Sequence, residues 1–226
     1  MQGKIVLITG AKGGLGTDVT KAFLDSEATV VGVSRSIQQT DFSSLNFAAY
    51  PADITQPQGT RELMTKVIAK YGRIDVLVHV MGGFAAGKVH ETDDDTWERM
   101  CDLNLSSAFY VSREVVSRMR ESGGGRLIAI GSLAAVEPHA GIGAYVATKT
   151  ALASLYRTIA LENADKNITA NVILPGTMDT PTNRAAMPNA DPGKWVQPAD
   201  VAKVVLLLAS NAGAQINGAL IPISRE

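Results

Sequence analysis

Near its amino end the chain reads Ile5-Val6-Leu7-Ile8 and continues as Thr9-Gly10-Ala11-Lys12-Gly13-Gly14-Leu15-Gly16. After these glycines, apolar residues recur at helical spacing at Val19, Ala22 and Phe23. An apolar run, a glycine turn and an amphipathic segment in this order predict a strand, a tight turn and a helix. Such a turn brings backbone N–H groups and the positive end of the helix dipole against a pyrophosphate. The alternative, an ordinary strand-to-helix turn, is disfavoured because this is the first such unit of the chain.

Seven apolar runs, rich in β-branched residues, predict buried strands. They are Lys4 to Ile8, Ala28 to Val33, Phe47 to Ala52, Ile74 to Val80, Arg126 to Gly131, Ile168 to Leu174 and Ala219 to Ile223. Segments of helical period lie between them, so we expect a doubly wound α/β fold: a parallel sheet of about seven strands with helices on both faces. Residues 1–226 are expected to form a single domain, and its long irregular segment from Gly176 to Pro198 is expected to be functional.

The composition excludes several classes of partner. The 226 residues include 21 basic and 22 acidic side chains, a formal net charge of −1, which offers no electrostatic footprint for nucleic acid or an anionic membrane. No run approaches the roughly 20 apolar residues of a membrane span. Cys101 is the only cysteine, and the histidines are scattered, so we expect neither an intrachain disulfide nor a metal site. These features predict a cytoplasmic protein that acts on a small molecule.

The glycine spacing resembles a known family motif. Gly10, Gly14 and Gly16 after Thr9 match the TGxxxGxG turn of the short-chain dehydrogenase/reductase family. The resemblance covers nearly the whole chain and continues through Asp53-Ile54, Asn104, Ser132, the YxxxK motif from Tyr145 to Lys149, and Pro175-Gly176 with Thr180. It implies a Rossmann-type fold and an NAD(P)(H)-dependent oxidoreductase. Such an enzyme moves a hydride between the nicotinamide cofactor and a small carbonyl or hydroxyl compound.

Tyr145 and Lys149 are four residues apart, so on a helix they share one face. Reduction of a carbonyl leaves charge on its oxygen, which a tyrosine with a pKa of about 10 can neutralise by donating a proton. An ammonium at about 4 Å contributes roughly 4 kcal/mol at an effective dielectric constant near 20. We therefore expect Lys149 to lower the pKa of Tyr145.

The resemblance assigns roles to the other candidate residues. It implies that Ser132 orients the substrate oxygen, that Lys149 also binds the nicotinamide ribose, and that Asn104 holds a water in a proton relay with that lysine. It further implies that Asp53 accepts a hydrogen bond from the adenine amino group. Taken singly, each residue has an ordinary structural explanation, such as a strand-end cap for Ser132. Their joint order and spacing favour the catalytic interpretation.

The end of the second predicted strand bears on the choice of cofactor. An acidic residue there binds the ribose 2′-OH of NAD, whereas an arginine accommodates the 2′-phosphate of NADP. The chain has Ser34-Arg35 and no carboxylate, with Lys12 as a second positive charge, so we expect NADP(H) to be favoured over NAD(H). The alternative is that Arg35 and Lys12 are merely solvated. The expected cofactor-binding residues are Gly10, Lys12, Gly14, Leu15, Gly16, Ser34, Arg35, Asp53, Ile54, Gly82, Tyr145, Lys149, Pro175, Gly176 and Thr180.

One segment departs from the family pattern. The family usually has Asn-Asn-Ala-Gly after the fourth strand, whereas this chain has His79-Val80-Met81-Gly82. Gly82 preserves the close approach of the backbone to a cofactor. We expect the stabilising role of the asparagine between strands to be missing.

Three further expectations concern function and assembly. The loops Gly82 to Gly87 and Met178 to Arg184 resemble those of dihydropteridine reductases, which implies a quinonoid dihydropterin substrate and NADH as the alternative. A non-catalytic protein that senses the dinucleotide ratio is a second alternative. The family resemblance also implies a homo-oligomer, a tetramer or dimer, formed through helices that contain Trp97 to Met119 and Tyr145 to Glu162.

Overall fold

The computed structural model describes residues 1–225. Its centre is one seven-stranded parallel sheet with the order β3-β2-β1-β4-β5-β6-β7. The strands are β1 (Ile5–Thr9), β2 (Thr29–Ser34), β3 (Phe47–Pro51), β4 (Val76–His79), β5 (Gly125–Ile130), β6 (Ile168–Pro175) and β7 (Leu220–Ile223). Every predicted strand is present within a few residues of its expected bounds, so the predicted fold class is confirmed.

Within residues 1–225, seven helices connect or cover these strands. They are α1 (Gly14–Asp25), α2 (Pro57–Tyr71), α3 (Asp94–Cys101), α4 (Ser107–Ser122), α5 (Gly143–Glu162), α6 (Pro181–Ala186) and α7 (Pro198–Ala209). A π-helical turn, Asp102–Ser106, joins α3 to α4. α2 begins with Pro57 in its first turn and ends at Gly72, whose φ of 75° is the left-handed conformation that favours glycine at a helix end.

Two apolar layers sandwich the sheet. On one face α2, α4 and α5 contribute buried residues such as Val67, Val115 and Tyr156. On the other face α1 and α7 contribute residues such as Phe23 and Val205. All eight residues of β6 are buried, as expected for a central parallel strand covered on both faces. Among residues 1–225, no helix combines the length and the apolar character needed to cross a bilayer.

The order of the strands fixes where a site can form. The chain leaves β1 towards β2 and β3 on one side, then returns to β4, β5, β6 and β7 on the other. Thr9 and His79 pair at the carboxyl ends of β1 and β4, where the direction of winding reverses. Crevices at such a reversal are where ligands bind in open parallel sheets.

The long segment after β6 is more ordered than expected. We predicted an irregular stretch from Gly176 to Pro198, but it contains α6 and a short 3₁₀ turn, Pro192–Lys194. α6 is only six residues long, and Pro181 begins it directly after its cap, Thr180. Helical periodicity cannot reveal so short an element, which explains the error.

Candidate active site

The glycine turn packs closely against its neighbours. Gly10 has a φ of 68°, and a Cβ there would lie 2.9 Å from the backbone nitrogen of Met81 in the loop after β4. A Cβ at Gly16 would overlap the carbonyl oxygen of Gly10. The Leu15 side chain is buried beside them in the core shared with α1. The turn therefore requires glycine for its path, and it leaves the first N–H groups of α1 pointing out of the carboxyl edge of the sheet.

The end of β2 presents an unused polar atom. The hydroxyl of Ser34 is buried and has no hydrogen-bond partner within residues 1–225. A buried hydroxyl without a partner is costly, so a group that binds here gains by satisfying it. The Ser34 hydroxyl and the glycine turn together fit the ribose and the pyrophosphate of a dinucleotide.

The two basic residues near this end differ in their surroundings. The Arg35 side chain is exposed and makes no ion pair within the described part of the chain. Lys12 instead donates to the Ser36 carbonyl oxygen at 3.1 Å and lies 3.1 Å from an oxygen of Asp41. The pKa of Asp41 is lowered by a hydrogen bond from the backbone of Gln38 and by Lys12. Lys12 is thus already partly neutralised, which the sequence pattern did not indicate.

Asp53 follows β3 at the same edge of the sheet. Its carboxylate accepts hydrogen bonds from the backbone nitrogen of Thr55 at 3.0 Å and from the Thr55 hydroxyl at 2.6 Å. The Thr55 hydroxyl is the main cause that lowers the pKa of Asp53, with a smaller contribution from the charge of Arg35. Ile54 is buried beneath it. Asp53 therefore carries an exposed negative charge near Arg35.

Tyr145 and Lys149 both lie on the first two turns of α5. Tyr145 is half-buried, whereas Lys149 is only 4% exposed. The ammonium nitrogen of Lys149 lies 5.9 Å from the centre of the Tyr145 ring and donates to the carbonyl oxygen of Ile130 at 2.9 Å. Burial lowers the pKa of Lys149 to about 8. The pair shares one helix face, as the four-residue spacing indicated.

The structure contradicts the expectation that Lys149 lowers the pKa of Tyr145. Burial raises the pKa of Tyr145 above its ordinary value, and hydrogen bonding with Ser132 opposes this only in part. The sequence argument assumed an ammonium about 4 Å from the phenol. The structure directs that ammonium at the Ile130 carbonyl instead, so desolvation of the phenol dominates.

Ser132 follows β5 and caps a short 3₁₀ turn. Its hydroxyl accepts a hydrogen bond from the backbone nitrogen of Ala134 at 3.3 Å. A hydroxyl that accepts in this way still has its own proton to donate. Since Ser132 also acts on the pKa of Tyr145, the two hydroxyl groups are neighbours at the mouth of the site.

Asn104 is fully buried in the π-helical turn between α3 and α4. Its side chain accepts from the Gly83 nitrogen at 2.9 Å and donates to the Gly83 oxygen at 3.1 Å. It also donates to the Thr148 hydroxyl at 3.1 Å. A Cβ at Gly82 would lie 2.8 Å from the Asn104 oxygen and 3.0 Å from the Lys149 ammonium. Asn104 thus fixes the loop after β4 beside Lys149, and the absence of a side chain at Gly82 keeps the space between them open.

His79 corrects the expectation that the link between strands would be missing. Its Nδ1 lies 3.0 Å from the Thr9 hydroxyl of β1, and its Nε2 lies 3.4 Å from the Ser107 hydroxyl of α4. All three residues are fully buried. Burial and then the charge of Lys149 lower the pKa of His79 to about 3, so the imidazole is neutral. A histidine here joins β1, β4 and α4, which is the role we expected to be lost with the asparagine.

The hydrogen bonds around His79 also fix its tautomer. The Thr9 hydroxyl accepts from the backbone nitrogen of Met81 at 3.3 Å, which leaves its proton for Nδ1 of His79. The Ser107 hydroxyl donates to the Leu103 oxygen at 2.9 Å and can accept from Nε2. The proton of His79 therefore resides on Nε2, and one directional chain runs from Met81 to Leu103.

The segment after β6 covers the site at the carboxyl edge of the sheet. Pro175 is buried at the end of β6, and the nitrogen of Gly176 donates to the Ile223 oxygen of β7 at 2.9 Å. Thr180 is buried, caps α6 through the nitrogen of Asn183, and lies against Gly14 of the phosphate turn. The segment thus runs from Pro175 and Gly176, where we expect the nicotinamide to bind, to the glycine turn.

Sequence patterns did not indicate two residues that shape this site. Asp41 and Ser107 stand outside the motifs, and each acts through a contact between segments distant in sequence. Phe84 belongs to the loop from Gly82 to Gly87, but only the structure reveals its contact with Tyr145. Within residues 1–225 no three His, Cys, Asp or Glu side chains come together as metal ligands.

Comparison with known proteins identifies the family. Residues 4–191 match the short chain dehydrogenase family. The chain is 28% identical to 2-dehydro-3-deoxy-D-gluconate 5-dehydrogenase of Pseudoalteromonas atlantica, over 98% of this chain and 94% of that enzyme. It is 30% identical to 3-oxoacyl-(acyl-carrier-protein) reductase FabG of Thermotoga maritima, over 99% of this chain and 97% of the reductase.

Solved structures agree with this assignment. The structure of ElxO with NADP bound superimposes with a TM-score of 0.91 at 27% identity, over 99% of this chain and 97% of ElxO. The glycine turn, the YxxxK pair and the seven-stranded parallel sheet therefore occur together in a chain similar to these enzymes along nearly its whole length. The chain belongs to the short-chain dehydrogenase family and is an NAD(P)-dependent oxidoreductase that acts on carbonyl or hydroxyl groups.

Proposed function

We propose that Tyr145 is the proton donor and acceptor of this enzyme, that Ser132 positions the substrate oxygen, and that Lys149 and Asn104 support the proton transfer. The observation that carries the proposal is the convergence of Tyr145 and a buried, cationic Lys149 at the carboxyl edge of the sheet, beside the glycine turn. A structural role alone does not explain a buried ammonium, because burial of its charge destabilises the fold.

The direction of reduction illustrates the chemistry. A bound reduced nicotinamide would supply the hydride for the carbonyl carbon. Tyr145 donates its phenolic proton to the carbonyl oxygen, which completes the alcohol and leaves a phenolate that must regain a proton before the next turnover. Ser132 donates a hydrogen bond to the same oxygen and stabilises the charge that develops on it. The raised pKa of Tyr145 keeps the phenol protonated before reaction, as a proton donor requires.

Lys149 serves two groups at once. Its ammonium is held by the Ile130 oxygen on one side and faces the open space at Gly82 on the other. In that position it would hold the nicotinamide ribose and stabilise the phenolate that remains after proton transfer. Asn104 fixes the Gly83 backbone next to it, and a water between Asn104 and Lys149 would return a proton to the site.

The cofactor that we favour is NADP(H). The exposed guanidinium of Arg35, which makes no ion pair within residues 1–225, and the absence of a carboxylate between Val33 and Ser36 support a contact with the 2′-phosphate. The remaining proposed contacts are those of the glycine turn with the pyrophosphate and of Asp53 with the adenine amino group. Measured dissociation constants for the two reduced cofactors test this preference.

A screen of carbonyl compounds tests the proposed activity. Oxidation of NADPH and NADH is followed by absorbance with small ketones, aldehydes and quinonoid dihydropterin. Turnover of a carbonyl compound with NADPH is the expected outcome. Tight cofactor binding with no turnover of any compound would contradict the proposal and favour the dinucleotide-sensing alternative.

Dihydropterin reduction is a second candidate. Both loops that carry that resemblance border the site: Phe84 lies against Tyr145, and Thr180 lies against Gly14. That candidate requires turnover of quinonoid dihydropterin with NADH in preference to NADPH. The exposed guanidinium of Arg35 supports the opposite cofactor preference, which is why this candidate ranks second.

We also infer a homo-oligomer in the cytoplasm. The outer sides of α4 and α5 expose Phe109 and Leu161, whose side chains are 44% and 82% exposed. Such apolar groups on neighbouring helices support a dimer or tetramer formed through these helices. A monomer in analytical ultracentrifugation at micromolar concentration would contradict this inference. The presence of only one cysteine, Cys101, supports a reducing compartment, and cell fractionation tests it.

A further inference from the structure

Several exposed apolar side chains lie on the loops at the carboxyl edge of the sheet. Nine large apolar side chains are exposed in residues 1–225, and four of them lie on the loops that follow β4, β5 and β6. These four are Phe84, Val89, Val136 and Met187, with exposures of 62%, 81%, 49% and 38%. Single exposed apolar residues are common on any surface, but several on the loops at the edge where open parallel sheets bind ligands indicate an apolar ligand surface.

Two of these side chains contact the start of α5. The ring of Phe84 meets the ring of Tyr145 edge-on, with centroids 5.1 Å apart and an angle of 68°. A Cβ at Gly143 would lie 2.8 Å from a methyl group of Val89, so Val89 covers the residue two positions before Tyr145. Phe84 therefore lies against the Tyr145 ring, and Val89 lies against the first turn of α5, which carries Tyr145.

The loop that carries them is fixed in place. The Gly87 nitrogen donates to the Gly141 oxygen at 2.7 Å, and Gly87 forms a parallel bridge with Ile142. Asn104 fixes the other end of the loop at Gly83 through two hydrogen bonds. Phe84 is thus held between two anchored points, and its exposed ring is a preformed surface.

The cations of these loops are mostly neutralised. Three Lys or Arg side chains occur in residues 81–93, 131–142 and 176–197. Lys88 pairs with Glu91 at 3.4 Å, and Arg184 pairs with both oxygens of Asp179 at 2.6 and 2.9 Å. The third, Lys194, is exposed next to the buried Trp195. A carboxylate or phosphate on the substrate would meet no free cation on the loop that carries Phe84.

We propose that the substrate is an uncharged carbonyl compound, or the corresponding alcohol, whose reacting carbon bears an apolar group that lies on Phe84 and Val89. The assignment rests on the proposed roles of Tyr145 and Ser132 and adds the chemical class of the substrate. The apolar group gains contact with Phe84 and Val89, while the carbonyl oxygen of the substrate faces the Tyr145 hydroxyl. Only the carbonyl group is altered: its carbon receives the hydride and its oxygen the proton.

Two ketoesters and one matched ketoacid test this inference with NADPH as donor. Ethyl benzoylformate has an apolar ring and no charge, benzoylformate has the ring and a carboxylate, and ethyl pyruvate has neither ring nor charge. Loss of a ring from an apolar pocket, or introduction of an unpaired charge, is expected to lower kcat/KM at least about tenfold. Ethyl benzoylformate should therefore be reduced best of the three.

Variants locate the ring. Phe84→Ala should raise KM for ethyl benzoylformate about fivefold or more and leave kcat/KM for ethyl pyruvate within about twofold. Leu45→Ala is the matched control, because Leu45 is fully exposed on the turn before β3, outside the three loops. It should leave both substrates unchanged. An equal loss for both substrates in Phe84→Ala would indicate disturbance of Tyr145 and would overturn the assignment of the ring to Phe84.

The outcomes separate this inference from the proposed function. If benzoylformate or ethyl pyruvate is reduced best, the substrate class is wrong while the roles of Tyr145 and Ser132 stand. Preference for benzoylformate that disappears in Lys194→Ala would assign a carboxylate to Lys194 and would overturn the uncharged class. If NADPH binds and no ketone is reduced, the proposed function fails, and the substrate class fails with it.

Discussion

The ammonium of Lys149, one turn of α5 after Tyr145, donates a hydrogen bond to the carbonyl oxygen of Ile130 at 2.9 Å. This contact ties α5 to the end of β5 and holds a positive charge where little water reaches it. Burial lowers the pKa of the lysine to about 8, so its charge titrates within the range in which the enzyme can be assayed. Tyr145 titrates higher, because burial raises its pKa above the ordinary value.

The first prediction concerns the pH dependence of reduction. Since the protonated lysine is the active form, kcat/KM for NADPH should be constant below about pH 8 and should fall above it, by up to about tenfold per pH unit. Lys149→Arg keeps the charge to higher pH and should shift the fall upward in any activity that it retains. A profile that is flat to pH 10 would contradict the assignment, as would a fall at the same pH in Lys149→Arg.

His79 gives a second prediction, on stability. Its pKa is about 3 in the folded chain and 6.5 in the unfolded chain, so the unfolded state takes up the proton first as the pH falls. The contribution of His79 to stability is therefore complete above pH 6.5 and is lost between pH 6.5 and 3, at about 1.4 kcal/mol per pH unit.

The matched variant is His79→Gln, which retains one donor and one acceptor. The difference in the free energy of unfolding between the original chain and the variant should shrink by about 2 to 3 kcal/mol from pH 7 to pH 4.5. Urea titration at both pH values measures it, and the exposed His90 and His139 cancel because both proteins contain them. A difference that is independent of pH would show that His79 is not buried in neutral form.

A third prediction concerns the 2′-phosphate of NADP. Arg35→Ala should weaken NADPH binding about tenfold to a hundredfold and leave NADH binding nearly unchanged, because only the phosphate accepts the charge-assisted hydrogen bond. Ser34→Asp should go further and favour NADH, since its carboxylate would accept from the ribose hydroxyls and repel a phosphate. Equal affinities for the two cofactors that Arg35→Ala leaves unchanged would refute the phosphate contact.

Asp41 supplies a fourth prediction, because its carboxylate competes for Lys12. Asp41→Asn removes that charge and should tighten NADPH binding about two- to fivefold at low ionic strength, with NADH unchanged. Asp25→Asn, which removes a charge from the end of α1, is the control for net charge. Weaker NADPH binding in Asp41→Asn would mean that Asp41 positions Lys12 instead of competing for it.

Much of the fold could be predicted from the sequence, because buried parallel strands leave long apolar runs. The seven strands and the phosphate turn were recognisable from such local patterns, and the turn also from its glycines. The short helix α6 was missed because six residues carry too little periodicity. Local sequence patterns specify individual strands and turns, and the predictions of these elements were correct.

Residue spacing by itself predicted geometry within the site only where the residues are close in sequence. The spacing of Tyr145 and Lys149 placed them on one helix face, but it could not reveal that the ammonium points at Ile130, from a different strand. The predicted lowering of the Tyr145 pKa was wrong for that reason. The replacement of an asparagine link by His79 and Ser107 likewise depends on a contact between β4 and α4. Such contacts exist only after the elements pack.

The most direct test of the central claim is Tyr145→Phe, compared with the original chain in two measurements: the rate of carbonyl reduction, and the dissociation constant of NADPH. Phenylalanine keeps the ring and its contact with Phe84 but has no proton to donate. We predict a loss of about a hundredfold to ten-thousandfold in kcat with the dissociation constant of NADPH within about twofold of the original. A variant that reduces the same substrate at the original rate would remove Tyr145 from the chemistry and contradict the mechanism.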